Sequence, residues 1–252
     1  MSKEEVVSKE EIALVIIEAG AVEIRDVPPM VKNIDKLPKK RQPFLYASGN
    51  WGPGYISVKG TVGQKKTIKF LSKNLASKVV DKTHKIDFIA GNVTGGMIPG
   101  WLISEELESL LGKTVPFVYI RGTRKKGGQK ELITGITNNP EITEGNNGLI
   151  VEELVNFAQT TCNGAVAIRS AGYKVIHAAT ILFYDNPEAI KALKEHKIEI
   201  IYLITLPEVL KVLEEHSIYP QKVIDDYRQF LANPLGWQIE RGLKPVKEGG
   251  TR

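Results

Sequence analysis

Short apolar runs alternate with segments of helical length between residues 85 and 216, and this alternation constrains the fold more than any other feature of the sequence. Strands that alternate with helices of about 10–15 residues are typical of an α/β domain built on a mostly parallel sheet. The predicted strands are KIDFIAGN (85–92), VPFVYIR (115–121), NGLIVEE (147–153), YKVIHAATILFY (173–184) and IEIIYLIT (198–205). We therefore expect an α/β fold with a mostly parallel, five-stranded sheet flanked by helices.

The segments around these strands carry helix start and stop signals. Gly20, Gly112 and Gly172 each follow a segment of helical periodicity, at the point where a residue of positive φ commonly ends a helix. Thr205 directly precedes the last such segment and is predicted to be its N-cap. The predicted helices cover residues 11–19, 64–80, 98–111, 159–171, 187–196 and 206–216.

Composition excludes several classes of protein. A chain of 252 residues, 42% of them hydrophobic, can bury one large domain or one domain with an appendage, and its net charge of +5 suits an anionic ligand. The single cysteine, Cys162, excludes an internal disulfide and a cysteine-built metal site, and the four histidines show no metal-ligand spacing. The N-terminus lacks the apolar core of a signal peptide, and no apolar run reaches the roughly 18 residues of a membrane span. A cytoplasmic protein without a membrane partner is expected.

Polar and glycine-rich segments follow three successive predicted strands. In parallel sheets, ligands bind beyond the carboxyl ends of the strands. The first strand leads into GNVTGGMIPG, whose glycines allow close backbone approach and whose helix start offers amides to an anion. The second leads into RGTRKKGGQK (121–130), which reads as a cationic flap able to close on a polyphosphate. The third ends in Glu152 and Glu153, carboxylates suited to ribose hydroxyls or to Mg²⁺.

Each of these patterns has an ordinary structural explanation as well. A glycine-rich turn, a solvated charge run and an acidic turn are all common when they occur alone. Their occurrence at three successive strand ends predicts a single site for an anionic ligand.

The stretch IVEELVNFAQTTCNG (150–164) has the plan of a phosphate-binding loop without its glycines. An apolar run enters the acidic pair, small hydroxylated residues follow, and a helix begins. Phe157 stands among the positions where glycines would let backbone amides wrap a phosphate. The residues that still offer side-chain donors are Asn156, Gln159, Thr160 and Thr161.

These motifs, in this order and spacing, resemble the type I phosphoribosyltransferases, and the orotate phosphoribosyltransferase branch in particular. In that family an apolar strand ends in an acidic pair, followed by a Thr-Thr-Gly-Gly-Ser loop and a helix, and residues 152–172 span that block without a gap. AGNVTGGMIP is similar to the family's Gly-x-x-Thr-Gly-Gly-Ile-Pro, and RGTRKKGG to its basic loop. YASGNWGPGYI is similar to the Lys-Ser-Gly-x-x-Ser-Pro-Tyr segment that contributes to the base site. The resemblance covers roughly residues 11–216.

The resemblance implies transfer of 5-phosphoribosyl from phosphoribosyl diphosphate to a pyrimidine-type base, with Mg²⁺, in a cytoplasmic homodimer. It implies catalytic roles for Arg121 and Lys125 toward pyrophosphate, and for Glu152 and Glu153 toward the ribose and the metal. The substrate-binding residues that it implies are Tyr55, Thr94, Gly95, Gly96, Asn156, Phe157, Ala158, Gln159, Thr160, Thr161 and Asn186. It also implies three parts: a helix with a hood and base-site segment (1–63), the phosphoribosyltransferase-like core (64–216), and a C-terminal helix with a flexible tail (217–252).

The sequence departs from the family pattern at several of these positions. Ala158 and Gln159 replace the two loop glycines, and Glu153 is one methylene longer than the family's aspartate. Gly122 and Gly127 stand where the flap has a second lysine and a histidine. Asn186 replaces the arginine that in orotate enzymes helps to hold the pyrimidine acid. These departures weigh against orotate as the base.

Two other functions remain open. One is a non-catalytic relative that binds a nucleotide or a sugar phosphate and acts as a regulator. The other is a nucleic-acid binder that uses the basic segments 32–41 and 121–130. The latter is disfavoured because the aromatic residues are not interleaved with those basic runs, as stacking on single strands requires.

Overall fold

The computed structural model describes residues 7–46, 48–122, 132–137 and 139–246. These residues form two compact units, one of residues up to 19 with 58–209, the other of residues 20–57 with those from 210 onward. We call them the first unit and the second unit. The three-part division at residues 63 and 216 stays a prediction.

The described residues contain ten strands and eight α-helices. The strands are β1 (Val22–Ile24), β2 (Phe44–Leu45), β3 (Trp51–Gly52), β4 (Gly54–Ile56), β5 (Phe88–Asn92), β6 (Phe117–Ile120), β7 (Ile133–Thr134), β8 (Asn147–Val155), β9 (Lys174–Phe183) and β10 (Glu199–Thr205). The helices are α1 (Lys9–Glu18), α2 (Lys65–Lys82), α3 (Met97–Leu111), α4 (Gln159–Ser170), α5 (Pro187–Glu195), α6 (Leu206–Glu215), α7 (Gln221–Ala232) and α8 (Pro234–Glu240).

The main sheet belongs to the first unit and has the strand order β10-β9-β8-β5-β6-β7. Neighbouring strands from β10 to β6 run parallel, and β7 pairs antiparallel with β6. The predicted α/β class and mostly parallel sheet are confirmed, and each of the five predicted strands is present. The predicted count omits β7, because a strand of two residues is too short to show a periodicity in the sequence.

The central strands are buried on both faces, as expected for a parallel sheet. In β8 the three consecutive residues Leu149, Ile150 and Val151 are each at most 1% exposed. On one face of the sheet, Ile150 packs in a cluster with Cys162, Ala165 and Ile168 of α4. The other face of the sheet contacts α2 and α3. This two-sided packing fixes the carboxyl ends of β5 and β8 side by side.

Thr205 is the N-cap of α6, as predicted. Its hydroxyl accepts a hydrogen bond from Glu208 N (3.3 Å), and the Glu208 carboxylate accepts one from Thr205 N (2.7 Å). Reciprocal bonds of this kind form a capping box, which satisfies amides that the first turn of a helix leaves unpaired.

No helix in the described part of the chain combines the length and the apolar character needed to cross a membrane.

The second unit is built around short strand pairs and an aromatic cluster. β1 pairs antiparallel with β4, and β2 with β3. Phe230 of α7 lies 5.4 Å from the Trp237 ring of α8 and 6.1 Å from the rings of Tyr46 and Tyr227, measured between centroids. The helical C-terminal extension expected from the sequence is therefore present as α7 and α8. Residues 247–252 of the predicted tail lie outside the described residues.

Candidate active site

The carboxyl ends of β5 and β8 bring two of the predicted site segments together. The strands pair in parallel with Gly91 opposite Val151, so Asn92 lies beside the start of the acidic pair. Asn92 Nδ2 donates to Glu152 Oε1 at 2.6 Å and to Thr160 O at 3.3 Å. Of the three segments predicted to meet at one edge of the sheet, 91–97, 121–130 and 152–161, the first and the third do so. The flap residues 123–130, with Lys125, lie outside the described residues.

Glu152 is a buried carboxyl group, with 6% of its surface exposed. Burial raises its pKa from 4.5 to about 7, since a charged carboxylate loses its hydration at this depth. The hydrogen bond from Asn92 opposes this rise, and the neighbouring Glu153 adds to it. A buried acid that ionises near neutral pH is typical of a functional site.

Glu153 extends over the glycine turn that follows β5. A Cβ placed on Gly95 would coincide with the Glu153 carboxylate, so the longer side chain fits here because residue 95 is glycine. Burial raises the pKa of Glu153, and its own backbone amide together with the positive charge of Lys59 lowers it. Glu152 and Glu153 are consecutive residues of β8, and the negative charge of Glu153 adds to the raised pKa of Glu152.

The turn from β5 into α3 is built from closely packed backbone. The Val93–Thr94 peptide is cis, and Gly96 N donates to Asn92 O at 2.8 Å. A Cβ on Gly96 would meet the carbonyl oxygen of Val151 and the backbone of Asn92, so only glycine fits. No side chain caps the start of α3. Met97 N donates to Thr94 O at 3.4 Å, and Pro99 has no amide proton, so few amides of the first turn are available to an anion.

The loop before α4 has no glycine, but one of its residues adopts a backbone conformation that is typical of glycine. Ala158 is the N-cap and has φ +58° and ψ +11°, the left-handed conformation that glycine adopts readily. No side chain caps α4. Phe157 is 57% exposed and does not pack into the core. The buried Thr161 hydroxyl makes no hydrogen bond to the described residues. The loop therefore presents unpaired amides, which favour an anion.

Asn186 holds this loop from the neighbouring strand end. Its Nδ2 donates to Asn156 O at 2.8 Å and to Asn156 Oδ1 at 3.0 Å. Its Oδ1 accepts from Ala189 N at 2.8 Å and thereby caps α5. Both ends of the amide therefore bond to protein, and the predicted contact of Asn186 with a base stays a prediction.

The remaining predicted residues occupy other positions. Arg121 is half-buried at the end of β6, where Nε donates to Thr134 Oγ1 at 2.9 Å and Nη2 to Tyr119 OH at 3.3 Å. Tyr55 belongs to the second unit, is 48% exposed, and stacks on Phe44 with 5.5 Å between ring centroids. Their roles toward a substrate stay predictions.

The sequence interpretation missed two residues of this site. Asn92 is a polar residue at the carboxyl end of a buried strand, the same signal that identified the acidic pair, and that signal could have found it. Lys59 lies in a short 3₁₀ helix, Val58–Gly63, and no local motif marks it. Only the fold brings its charge to Glu153.

Replacing Asn92 with alanine is expected to raise the pKa of Glu152 above 7 by about one to two units. The variant removes a hydrogen bond to a buried carboxylate, and a bond to a charged group contributes roughly 1.5–3 kcal/mol. Titration of the Glu152 carboxyl carbon by NMR measures the shift. Asn163→Ala, on the exposed surface of α4, is the matched control. An unchanged Glu152 titration in Asn92→Ala would show that the bond does not support the charged form.

The acidic pair supplies hard oxygen ligands of the kind that Mg²⁺ prefers. Among the described residues, no group of three His, Cys, Asp or Glu side chains could hold a metal ion. Mg²⁺ at this site therefore needs further oxygens from water or from a bound ligand, which is its usual mode of binding with substrate phosphates.

Comparison with known proteins agrees with this geometry. Residues 60–219 match the model of the phosphoribosyl transferase domain. The chain is 32% identical to an orotate phosphoribosyltransferase of Phocaeicola vulgatus over 161 residues, which are 64% of this chain and 71% of that protein. Among solved structures, the orotate phosphoribosyltransferase of Aeropyrum pernix superposes with a TM-score of 0.61 at 19% identity, covering 83% of this chain and 99% of that one. The UMP synthase of Leishmania donovani gives a TM-score of 0.68 at 20% identity and covers 90% of this chain, which spans only 42% of that longer protein. The chain therefore belongs to the type I phosphoribosyltransferase family, a family of transferase enzymes.

Proposed function

We propose that this protein transfers 5-phosphoribosyl from phosphoribosyl diphosphate to a pyrimidine-type base and releases pyrophosphate. One observation carries the proposal: near the carboxyl end of β8, Glu153 lies against Gly95 of the turn that follows β5, and Glu152 accepts a hydrogen bond from Asn92 at the end of β5. The uncapped start of α4 follows within the same segment. Carboxylates for a sugar and a helix start with free amides for a phosphate are what such a substrate requires.

In the proposed reaction, a ring nitrogen of the base, having released its proton to water, attacks C1 of the ribose. The bond from C1 to the pyrophosphate oxygen breaks, and pyrophosphate leaves with the bonding electrons. Glu152 and Glu153 bind the ribose hydroxyls, and the start of α4 at residues 158–161 binds the 5-phosphate. The turn 94–96 holds the pyrophosphate group, together with Arg121 and Lys125. Negative charge develops on the leaving pyrophosphate. Donors and cations that are already positioned around it stabilise that charge, and this is usually the largest contribution to the rate enhancement.

The acidic pair fits Mg²⁺ bound together with phosphoribosyl diphosphate. Burial raises the pKa values of both carboxyl groups, which means that it disfavours their charged forms. A bound cation would stabilise the charged forms by neutralising them. The ion would supply electrostatic stabilisation of the leaving group. Glu152 and Glu153 would hold it through substrate oxygens.

The structure of the Asn186 segment supports a base other than orotate. Both ends of this amide bond to protein, and an amide carries no positive charge for the carboxylate of orotate. We propose that Tyr55 contacts the base by its exposed ring. A place in pyrimidine nucleotide synthesis, a cytoplasmic location and a homodimer follow from the family and are part of this proposal.

The decisive experiment is an assay of pyrophosphate release from phosphoribosyl diphosphate and Mg²⁺ across a panel of pyrimidine and purine bases. We expect turnover with at least one pyrimidine and slow or no turnover with orotate. If no base is accepted while calorimetry still detects phosphoribosyl diphosphate, the protein is a non-catalytic nucleotide or sugar-phosphate binding relative. If neither turnover nor binding occurs, the proposal is wrong.

Restoring the glycine loop is expected to tighten binding of phosphoribosyl diphosphate by one to two orders of magnitude. The variant Phe157→Thr, Ala158→Gly, Gln159→Gly gives the phosphate a closer backbone wrap, and one charge-assisted hydrogen bond contributes roughly 1.5–3 kcal/mol. It also relieves the left-handed alanine, at about 1 kcal/mol. Calorimetry against wild type measures the change, with Phe157→Thr alone as the control. Tighter binding by wild type would mean that this loop is adapted to a different ligand.

A further inference from the structure

The turn between β2 and β3 lies in the segment YASGNWGPGYI, which contains Tyr55, the residue that the proposed function assigns to the base. Tyr46 N donates to Asn50 O at 2.8 Å, and Gly49 N donates to Tyr46 O at 2.9 Å. Gly49 has φ +83°, and β2 and β3 are two residues each. An isolated pair of such short strands is not stable in water, so contacts outside the hairpin must hold this turn.

Gln238 of α8 supplies one set of these contacts. The residue is fully buried, and its Oε1 accepts a hydrogen bond from Trp51 N at 2.9 Å. Its Nε2 donates to Asn50 Oδ1 at 3.3 Å and to Pro234 O at 3.0 Å. A buried amide with bonds at both ends specifies one position for its partners, because any shift leaves a buried polar group unpaired.

Val246, six residues beyond α8, supplies the second set. Its N donates to Asn50 Oδ1 at 2.8 Å, and its O accepts from Asn50 Nδ2 at 3.1 Å. Its side chain lies against Gly49, where an added Cβ would be 3.2 Å from Val246 Cγ2. The Asn50 side chain is therefore held by Gln238 and Val246 at once.

We propose that Gln238 is a positioning residue for base recognition, and that the C-terminal segment 234–246 sets the geometry of residues 48–51 through Asn50. This rests on the proposed function, because it assigns Tyr55 of the same segment to the base. The C-terminal segment then controls affinity for the base and leaves affinity for phosphoribosyl diphosphate unchanged.

Gln238→Leu in the full-length protein tests the inference. We expect the KM for the accepted base to rise about ten-fold, the factor that corresponds to one or two lost neutral hydrogen bonds. The KM for phosphoribosyl diphosphate should stay within about two-fold, since a turn that acts only on the base leaves this step alone. The Trp51 amide should exchange with solvent at least about ten-fold faster, because it loses its acceptor. Gln221→Leu, on the exposed surface of α7, is the control.

Val246→Pro is a second variant that spares the core. Val246 is 41% exposed, and proline removes its donor to Asn50 Oδ1 while it keeps an apolar side chain beside Gly49. The same selective rise in base KM is expected, with a smaller magnitude. An active wild type whose base KM changes in neither variant overturns the positioning role, whatever the Trp51 exchange shows. A parallel rise in both KM values also overturns it, because it indicates general destabilisation. A wild type without turnover on any base refutes the proposed function instead, and the inference falls with it.

Discussion

Glu152→Gln is expected to stabilise the free protein by roughly 3 kcal/mol above pH 8 and to abolish phosphoribosyl transfer. The folded-state pKa of Glu152 is raised from 4.5 to about 7 by burial. Between these two values the unfolded chain has released its proton while the folded protein keeps it. Stability therefore falls as pH rises through this window, and above it the full difference opposes folding. Glutamine does not ionise, and its Oε1 still accepts the bond from Asn92.

Urea denaturation of wild type and Glu152→Gln at pH 4.5, 6, 7 and 8.5 measures this effect. The two proteins should be almost equally stable at the lowest pH, and the difference should grow until about pH 8. Glu141→Gln is the control, because Glu141 is exposed and its replacement should change stability little at any pH. A gap that does not depend on pH would refute the buried charge as its cause. Full transferase activity in Glu152→Gln would remove this carboxylate from the proposed mechanism.

Gly96→Ala is expected to destabilise the protein by about 3 kcal/mol, whereas Gly95→Ala should cost much less and still prevent ligand binding. The added methyl at residue 96 would meet backbone atoms of Val151 and Asn92, which belong to two paired strands and cannot move apart separately. At residue 95 it would meet the end of the Glu153 side chain, which can rotate away. That rotation moves the carboxylate from the position proposed for ribose and metal.

Denaturation and calorimetry with phosphoribosyl diphosphate and Mg²⁺ separate the two glycine variants. Gly63→Ala serves as the control, since an added Cβ there meets nothing within 4 Å. Equal loss of stability in Gly95→Ala and Gly96→Ala would mean that Glu153 is as rigid as the backbone. Wild-type affinity in Gly95→Ala would show that the position of Glu153 does not matter for the ligand.

The strands and helices of the first unit could be predicted from the sequence, because each of them leaves a pattern in a short stretch of residues. Each strand of the parallel sheet is a nearly continuous apolar run, and the polar residues that follow meet because the carboxyl ends share an edge. The second unit gave no such signal, since it joins residues 20–57 to residues from 210 onward, and pairings of that separation leave no mark in a local pattern. The charge of Lys59 at Glu153 escaped prediction for the same reason.

The loop before α4, proposed to bind the 5-phosphate, shows a different limit of prediction. Missing glycines indicate that backbone amides cannot turn inward, yet Ala158 adopts the left-handed conformation itself. Such a residue is disfavoured by about 1–2 kcal/mol. The packing around the loop outweighs this local preference, and Ala158 is buried. Propensity is a weak guide where tertiary contacts decide the conformation.

The two duties of Asn186 have a consequence for how base preference can evolve in this protein. A substitution to arginine would give the strand end a positive charge, but it would also remove the α5 cap, at about 1 kcal/mol, and both bonds to Asn156. The gain proposed at the base and the loss of the bonds that hold the loop before α4 are therefore epistatic. A lineage can acquire the arginine only after other residues cap α5 and bond to Asn156 in place of Asn186. Directed evolution toward orotate should meet the same order of steps, with changes near residues 156 and 187–189 appearing before any change at 186.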